Sequence, residues 1–324
     1  MVSQSRTRQP PSPNRSVVVC LDILTETDRR SPVTPASADS LWFATALLPD
    51  GWARDVRLGV AGGRIVSVET GVERAQGEAV AGAVALPGVA NVHSHAFQRA
   101  MAGLTEARGP TDDDFWTWRE LMYRFLDRGG PDEIEAITAL AFAEMLEGGF
   151  TRVAEFHYLH NDPSGARYAD PAEIAGRIVA AAGATGIALT ILPVFYAHAG
   201  FGGQPPAHGQ RRFIHDLDSF ADLVSRCRAL TAGLDDAVVG VAPHSLRAVT
   251  PDELAAMPGL AGEGPVHIHV AEQTKEVDDC LAWSGARPVE WLLANAPVDA
   301  RWTLIHATHV LDSEWREVAA RGAV

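Results

Sequence analysis

The sequence is nearly devoid of lysine: Lys275 is its only one, and arginine supplies the rest of the 27 basic residues. Alanine is abundant as well, so the bias reads as a coding preference, and a single arginine carries little information. Cysteine is as sparse. Cys20, Cys227 and Cys280 are odd in number and lack metal-ligand spacing, which argues against a disulfide framework and suits a reducing cytoplasm. No run approaches the roughly 18 consecutive apolar residues of a spanning helix. Positive charge is in deficit, with 27 Lys+Arg against 41 Asp+Glu and a formal net charge of −14. This leaves no basic footprint for nucleic acid and no affinity for an anionic membrane surface. What remains is an ordinary globular balance, 47% hydrophobic and 21% charged. The length of 324 residues allows one large α/β domain or two medium ones.

Residues 1–40 are rich in Ser, Thr, Pro and Arg and are expected to form a disordered extension. The apolar run 17–24 is too short and badly placed for a signal peptide. Beyond it, 56–60 and 64–68 predict short strands around Gly62-Gly63, and 84–92 predicts a buried strand interrupted by Pro87 and Gly88. Helices are predicted over 114–127 and 131–147, the second with Pro131 in its first turn. Asp170-Pro171 with Glu173, and Thr250-Pro251 with Glu253, read as capping boxes that open two more. Between the helices lie apolar segments at 151–157, 187–196, 237–244, 265–270 and 302–307. With 84–92 they make six strands alternating with helices, which implies a parallel α/β sheet. A doubly wound sheet and a (β/α)₈ barrel both fit this periodicity.

Most of these strands end in side chains capable of chemistry: His93 and His95; Glu155, His157 and Tyr158; His244; His267, His269 and Glu272; His306. In parallel α/β folds the C-terminal strand ends gather on one face and build the site. His93 and His95, two apart on a strand, point the same way and can reach one ion. His269 would complete a three-ligand set with a position open for water, and Glu272 is placed to move protons. His306 could serve as ligand or proton shuttle. His267 lies deeper and is expected to pack in the core, and His309 lies past its strand end, in solvent.

With these residues in place, the chain resembles the amidohydrolase superfamily and, within it, the formimidoylglutamate deiminases, from about residue 41 onward. The segments that carry the likeness are LPGVANVHSHAFQR (86–99), FWTWR (115–119), EFHY (155–158), APHSLR (242–247) and HIHVAEQ (267–273). The resemblance implies a (β/α)₈ metal-dependent hydrolase barrel over 84–324, of which about six of eight units are present, and part of a small β-rich domain over 41–83. It implies His93, His95 and His269 as ligands of one divalent ion, with Zn²⁺ the expected metal although imidazoles suit several. It implies Glu272 and His306 as catalytic residues. Gln98, Arg119, Tyr158, His244 and Arg247 become substrate contacts, and arginine forks match the two carboxylates of such a substrate.

The implied reaction is metal-assisted hydrolysis of the C=N bond of N-formimidoyl-L-glutamate to N-formyl-L-glutamate and ammonia, in histidine degradation. A guanine- or cytosine-type deaminase, or an inactive metal-binding fragment, are the alternatives. Homodimers are common in the family, but no segment marks an interface. Val324 falls where a seventh strand is expected, and no residue matches the family's Asp at the end of strand eight. The expectation is a truncated gene model, or else a true fragment or pseudogene, with the activity of these 324 residues on their own in question.

Overall fold

The computed structural model describes residues 19–21, 39–76, 78–105 and 115–324. These form two compact units, one of residues up to Val89 together with Gly149–Thr151, the other of the remainder.

The first unit is a five-stranded sheet. β2 (Asp39–Leu48), β3 (Gly51–Ala61) and β4 (Arg64–Glu69) form an antiparallel meander. β5 (Ala79–Pro87) lies parallel to β2, and β1 (Val19–Leu21) lies parallel to β5. Between β3 and β4, Gly62 and Gly63 have φ of 59° and 77°, the two left-handed positions that a tight hairpin requires. Phe43, Ala46, Val56, Leu58 and Ala85 make the core of this sheet, with Phe43 directly opposite Val56. The guanidinium of Arg57 donates to the Glu78 carboxylate and holds its pKa down to about 2.

Two expectations are corrected here. The segment 84–92 is not one strand: β5 ends at Pro87, and β6 (Val89–Ser94) starts after Gly88 in a different sheet. Pro87 has no N–H to continue a ladder, so the hydrogen bonding stops there. Within the expected extension, 19–21 and 39–40 are paired strand residues, while 1–18 and 22–38 lie outside the described residues.

The second unit continues from β6 through β7 (Phe150–His157), β8 (Ala188–Phe195), β9 (Val238–Val239), β10 (Ala242–Pro243), β11 (Val266–Val270) and β12 (Trp302–His306). β6, β7, β8 and β10 are neighbours in that order, and β9 pairs with β8 just before β10 does. Bridges Val241–Val266 and Ser245–His269 carry the order on to β11, which pairs with β12 in parallel. A doubly wound sheet reverses its strand order at a switch point. Here each position pairs with the next in the chain, the winding of a (β/α)₈ barrel, and six successive units of it are present.

Helices α1 (Phe115–Leu126) and α2 (Pro131–Glu147) separate β6 from β7. α3 (Glu173–Thr185), α4 (Leu217–Thr231) and α5 (Pro251–Ala261) precede β8, β9 and β11. α6 (Thr274–Ser284) and α7 (Pro288–Asn295) lie between β11 and β12, and α8 (Asp312–Ala320) follows. β11 is buried along its whole length, which is why its sequence is continuously apolar apart from its histidines. The capping box at α5 forms: Thr250 N–H donates to Glu253 at 2.7 Å, and Thr250 Oγ1 accepts from Glu253 N–H at 3.3 Å. At α3 it does not. Asp170 accepts from the Ala172 N–H, and the Glu173 carboxylate accepts from Arg177 instead. Among the described residues no helix is long and apolar enough to cross a membrane.

Candidate active site

The C-terminal ends of β6, β7, β8, β10, β11 and β12 open into one cavity of about 200 Å³. Every residue expected from the sequence to bind metal, contact substrate or act in catalysis lines it: His93, His95, Gln98, Arg119, Tyr158, His244, Arg247, His269, Glu272 and His306.

His93, His95 and His269 converge. Nε2 of His93 lies 3.0 Å from Nε2 of His95 and 3.1 Å from Nε2 of His269. His95 donates Nδ1–H to the Phe156 carbonyl at 3.0 Å, and His269 donates Nδ1–H to the His244 carbonyl at 3.2 Å. Both Nε2 atoms therefore present lone pairs, and a single N–H on His93 could satisfy only one of them. Nδ1 of His93 is itself buried without a partner. A cation that accepts all three lone pairs resolves the conflict. Nitrogens around a tetrahedral zinc-sized ion stand about 3.3 Å apart, close to the spacing found. Burial lowers the pKa of His93 to about 2 and that of His95 to about 4, and puts His269 well below its ordinary value. The rings are thus neutral, as metal ligands must be. The residues present fit a divalent metal.

Beside this triad, Glu272 lies between two nitrogen-bearing side chains: its Oε1 is 3.7 Å from Nε2 of His306 and its Oε2 3.7 Å from Nη2 of Arg247. The strand ends that carry these groups are bent sharply. Ala271, His306 and Ala307 all have left-handed φ, of 51°, 68° and 43°, a conformation non-glycine residues hold only when their surroundings enforce it. Also lining the cavity, the Arg119 guanidinium sits 5.7 Å from the centre of the Tyr123 ring. The Tyr158 hydroxyl accepts from Gln98 Nε2 at 3.2 Å, and burial raises its pKa. His244 is half-buried, its pKa lowered first by desolvation and then by Arg247.

The other strand-end groups lie elsewhere. Glu155 and His157 sit on the face of β7 opposite Phe156 and Tyr158. Oε1 of Glu155 accepts the Ala96 N–H at 2.7 Å, bracing the exit of the His-x-His segment, and burial pushes its pKa up to about 8. His157 stacks edge-on with His160, and His160 with His215, at 4.8 and 4.7 Å. His267 is buried in the core, as its depth in the strand suggests, and His309 is half-buried rather than solvated.

The cavity also holds Trp118, from the FWTWR segment noted in the sequence, and four residues that sequence reasoning missed: Met122, Tyr123, Tyr196 and Phe213. Trp118 and Met122 are four apart on α1, as are Arg119 and Tyr123, so the helical period marks the first two of these with their partners as one face. Tyr196 follows the last residue of β8 and obeys the strand-end rule. Phe213 lies in a loop, where no local signal marks it.

The amidohydrolase family profile matches residues 84–323, and the profile for the N-terminal domain of formimidoylglutamate deiminase matches 42–81. The chain is 52% identical over 286 residues to a formimidoylglutamate deiminase of Pseudomonas aeruginosa, covering 88% of this chain and 63% of that protein. It is 30% identical over 242 residues to an 8-oxoguanine deaminase of the same organism, covering 74% and 51%. The crystal structure of an amidohydrolase from Brucella melitensis superposes with a TM-score of 0.84 at 55% identity, covering 88% of this chain and 63% of that one. The chain thus spans less than two thirds of these relatives. With the family profile running across the strands and histidines just described, the chain belongs to the metal-dependent amidohydrolase family.

Proposed function

We propose that this chain carries the active site of a hydrolase that cleaves the C=N bond of N-formimidoyl-L-glutamate, releasing ammonia and N-formyl-L-glutamate in histidine degradation. The observation that carries the reading is Arg247. Its guanidinium is mostly buried within the cavity, and its Nε has no hydrogen-bond partner. The nearest carboxylates, Glu272 and Glu276, stand 3.7 and 3.8 Å from Nη2, beyond hydrogen-bond distance. A buried arginine left open in this way calls for an oxyanion ligand. Arg119, which lines the same cavity, suits the second carboxylate of a dianion, which a chain of net charge −14 would otherwise repel. The formimidoylglutamate deiminase of P. aeruginosa is the more similar of the two deaminating relatives reported above.

In this reading His93, His95 and His269 hold one divalent ion, proposed to be zinc, which when bound supplies Lewis acidity and hydroxide near neutral pH. Arg247 and Arg119 grip the carboxylates and set the formimidoyl carbon before the histidine triad. Gln98, Tyr158 and His244 border the bound substrate and fix its orientation. Glu272 carries both protons of the attacking water to the departing nitrogen, one as the C–O bond forms and the second as the C–N bond breaks, so that the =NH group leaves as neutral ammonia and the oxygen stays as the formyl carbonyl. His306, next to Glu272, shares those protons through Nε2. Cys227 and Cys280 are buried free thiols, in keeping with a cytoplasmic protein.

The test is ammonia release by the zinc-loaded chain, offered N-formimidoyl-L-glutamate and 8-oxoguanine in parallel. Release from the first alone is expected. Release from 8-oxoguanine alone would overturn the proposal, because a neutral purine needs no arginine pair.

A further inference from the structure

Immediately after β11 the chain turns toward α6 with Ala271 in the left-handed region, φ 51°. An alanine held there needs support from its surroundings. Glu276, in the first turn of α6, provides it. Its Oε1 accepts the N–H of Ala271 at 3.2 Å and its Oε2 accepts the N–H of Glu272 at 3.1 Å. The side chain is buried, and the same Oε2 lies 3.8 Å from Nη2 of Arg247. Glu276 does not line the cavity. It touches, from behind, the main chain of Glu272 and the guanidinium of Arg247.

We infer that Glu276 is a positioning residue for both groups. It fixes the backbone from which the Glu272 carboxylate projects, and it supplies the counter-charge that keeps Arg247 beside the cavity. The inference rests on the roles proposed above for Glu272 and Arg247. Two amide donors meet the two oxygens of Glu276, with a guanidinium at ion-pair distance, and only a group with two acceptor oxygens and a negative charge suits all three. Glutamine offers one oxygen and one NH₂, so in either orientation a backbone N–H faces another donor. Aspartate is one methylene short of the same reach.

A plain helix-capping role would produce the same contacts, and Glu314 supplies the control. Glu314 is also buried, accepts the N–H of Leu311 at 2.6 Å and of Glu290 at 3.2 Å, and pairs with Arg287 at 3.3 Å. It lies outside the cavity.

The experiment compares Glu276→Gln with Glu314→Gln in the zinc-loaded chain. Turnover of N-formimidoyl-L-glutamate is expressed per bound zinc, and amide hydrogen exchange is measured residue by residue. For Glu276→Gln, kcat is expected to fall about tenfold or more with KM within about threefold. Exchange at Ala271 and Glu272 should quicken about tenfold while Ile268 and His269 keep their protection. Glu314→Gln should keep kcat within about twofold of the parent. Equal losses of kcat in the two variants, or parental exchange at Ala271 and Glu272 in Glu276→Gln, overturns the inference. If the parent chain does not turn over this substrate, the proposed reaction fails on that result alone, and the exchange comparison still decides the contact made by Glu276.

Discussion

Nε2 of His269 lies 3.1 Å from Nε2 of His93, although 176 residues separate them in the chain. One ring rides on β6 and the other on β11, and neither strand pairs with the other. Their meeting follows from the curvature of the sheet, which turns the side chains of non-adjacent strands toward one interior.

Replacing His269 with alanine is expected to reduce zinc from about one ion per chain to nearly none, since the two ligands that remain cannot hold a structural or catalytic zinc. Elemental analysis of the purified protein, with circular dichroism to confirm retained folding, checks this. A variant that still carries stoichiometric zinc would remove His269 from the ligand set.

Arg247→Met should weaken binding of N-formyl-L-glutamate by about a hundredfold, about 2.7 kcal/mol, the scale of a charge-assisted hydrogen-bonding arginine. It also leaves Glu272 and Glu276 without their counter-charge, so a dianion meets added repulsion. Arg247→Lys should recover only part of the loss, because an ammonium cannot form the two-pronged contact. Titration calorimetry separates these cases, and an unchanged affinity in Arg247→Met would place the carboxylate elsewhere.

Stability should fall on acidification. Burial lowers the pKa of His157 to about 3 and of His215 to about 4, and takes His160 well below the ordinary 6.5. These rings stay neutral in the fold and bind protons only when it opens. Their contribution is complete above about pH 6.5 and is lost as the pH falls toward 4, by about 1.4 kcal/mol per pH unit for each group. Glu155, raised to about 8, acts in the opposite direction between about 4.5 and 8 and offsets one histidine. The urea midpoint is therefore expected to stay nearly level from pH 7 to pH 6.5 and to drop from pH 6.5 to pH 5. A midpoint that stays level would mean that these rings titrate normally.

Arg212 ties α1 to the loop that follows β7. Its Nη1 donates to the carbonyls of Leu126 at 2.5 Å and Gly129 at 3.0 Å, and its Nε donates to that of Asn161 at 3.0 Å. Arg212→Met should cost about 3 kcal/mol of unfolding free energy by leaving these buried acceptors unpaired. Because α1 also carries Arg119 and Tyr123, KM for the dicarboxylate should rise by a larger factor than kcat falls. Urea unfolding and steady-state kinetics test the two parts separately.

The alternation of strands with capped helices was legible in the sequence, because strand periodicity, Pro131 and the Thr250–Glu253 box are local signals. So was the strand-end chemistry, since residues two apart on a strand share a face whatever sheet it joins. The choice between a barrel and a doubly wound sheet was not legible. Strand order is a pattern of hydrogen bonds between distant segments, and strands buried on both faces read alike in either fold. The tertiary structure also divided 84–92 between two sheets, turned Glu155 and His157 away from the cavity, and brought Phe213 into it. The support beneath Glu272 belongs to the same class. Glu276 is an ordinary helix residue in sequence, and only the left-handed turn at Ala271 and the approach of Arg247 from another strand end bring two amide donors and a counter-charge to its carboxylate.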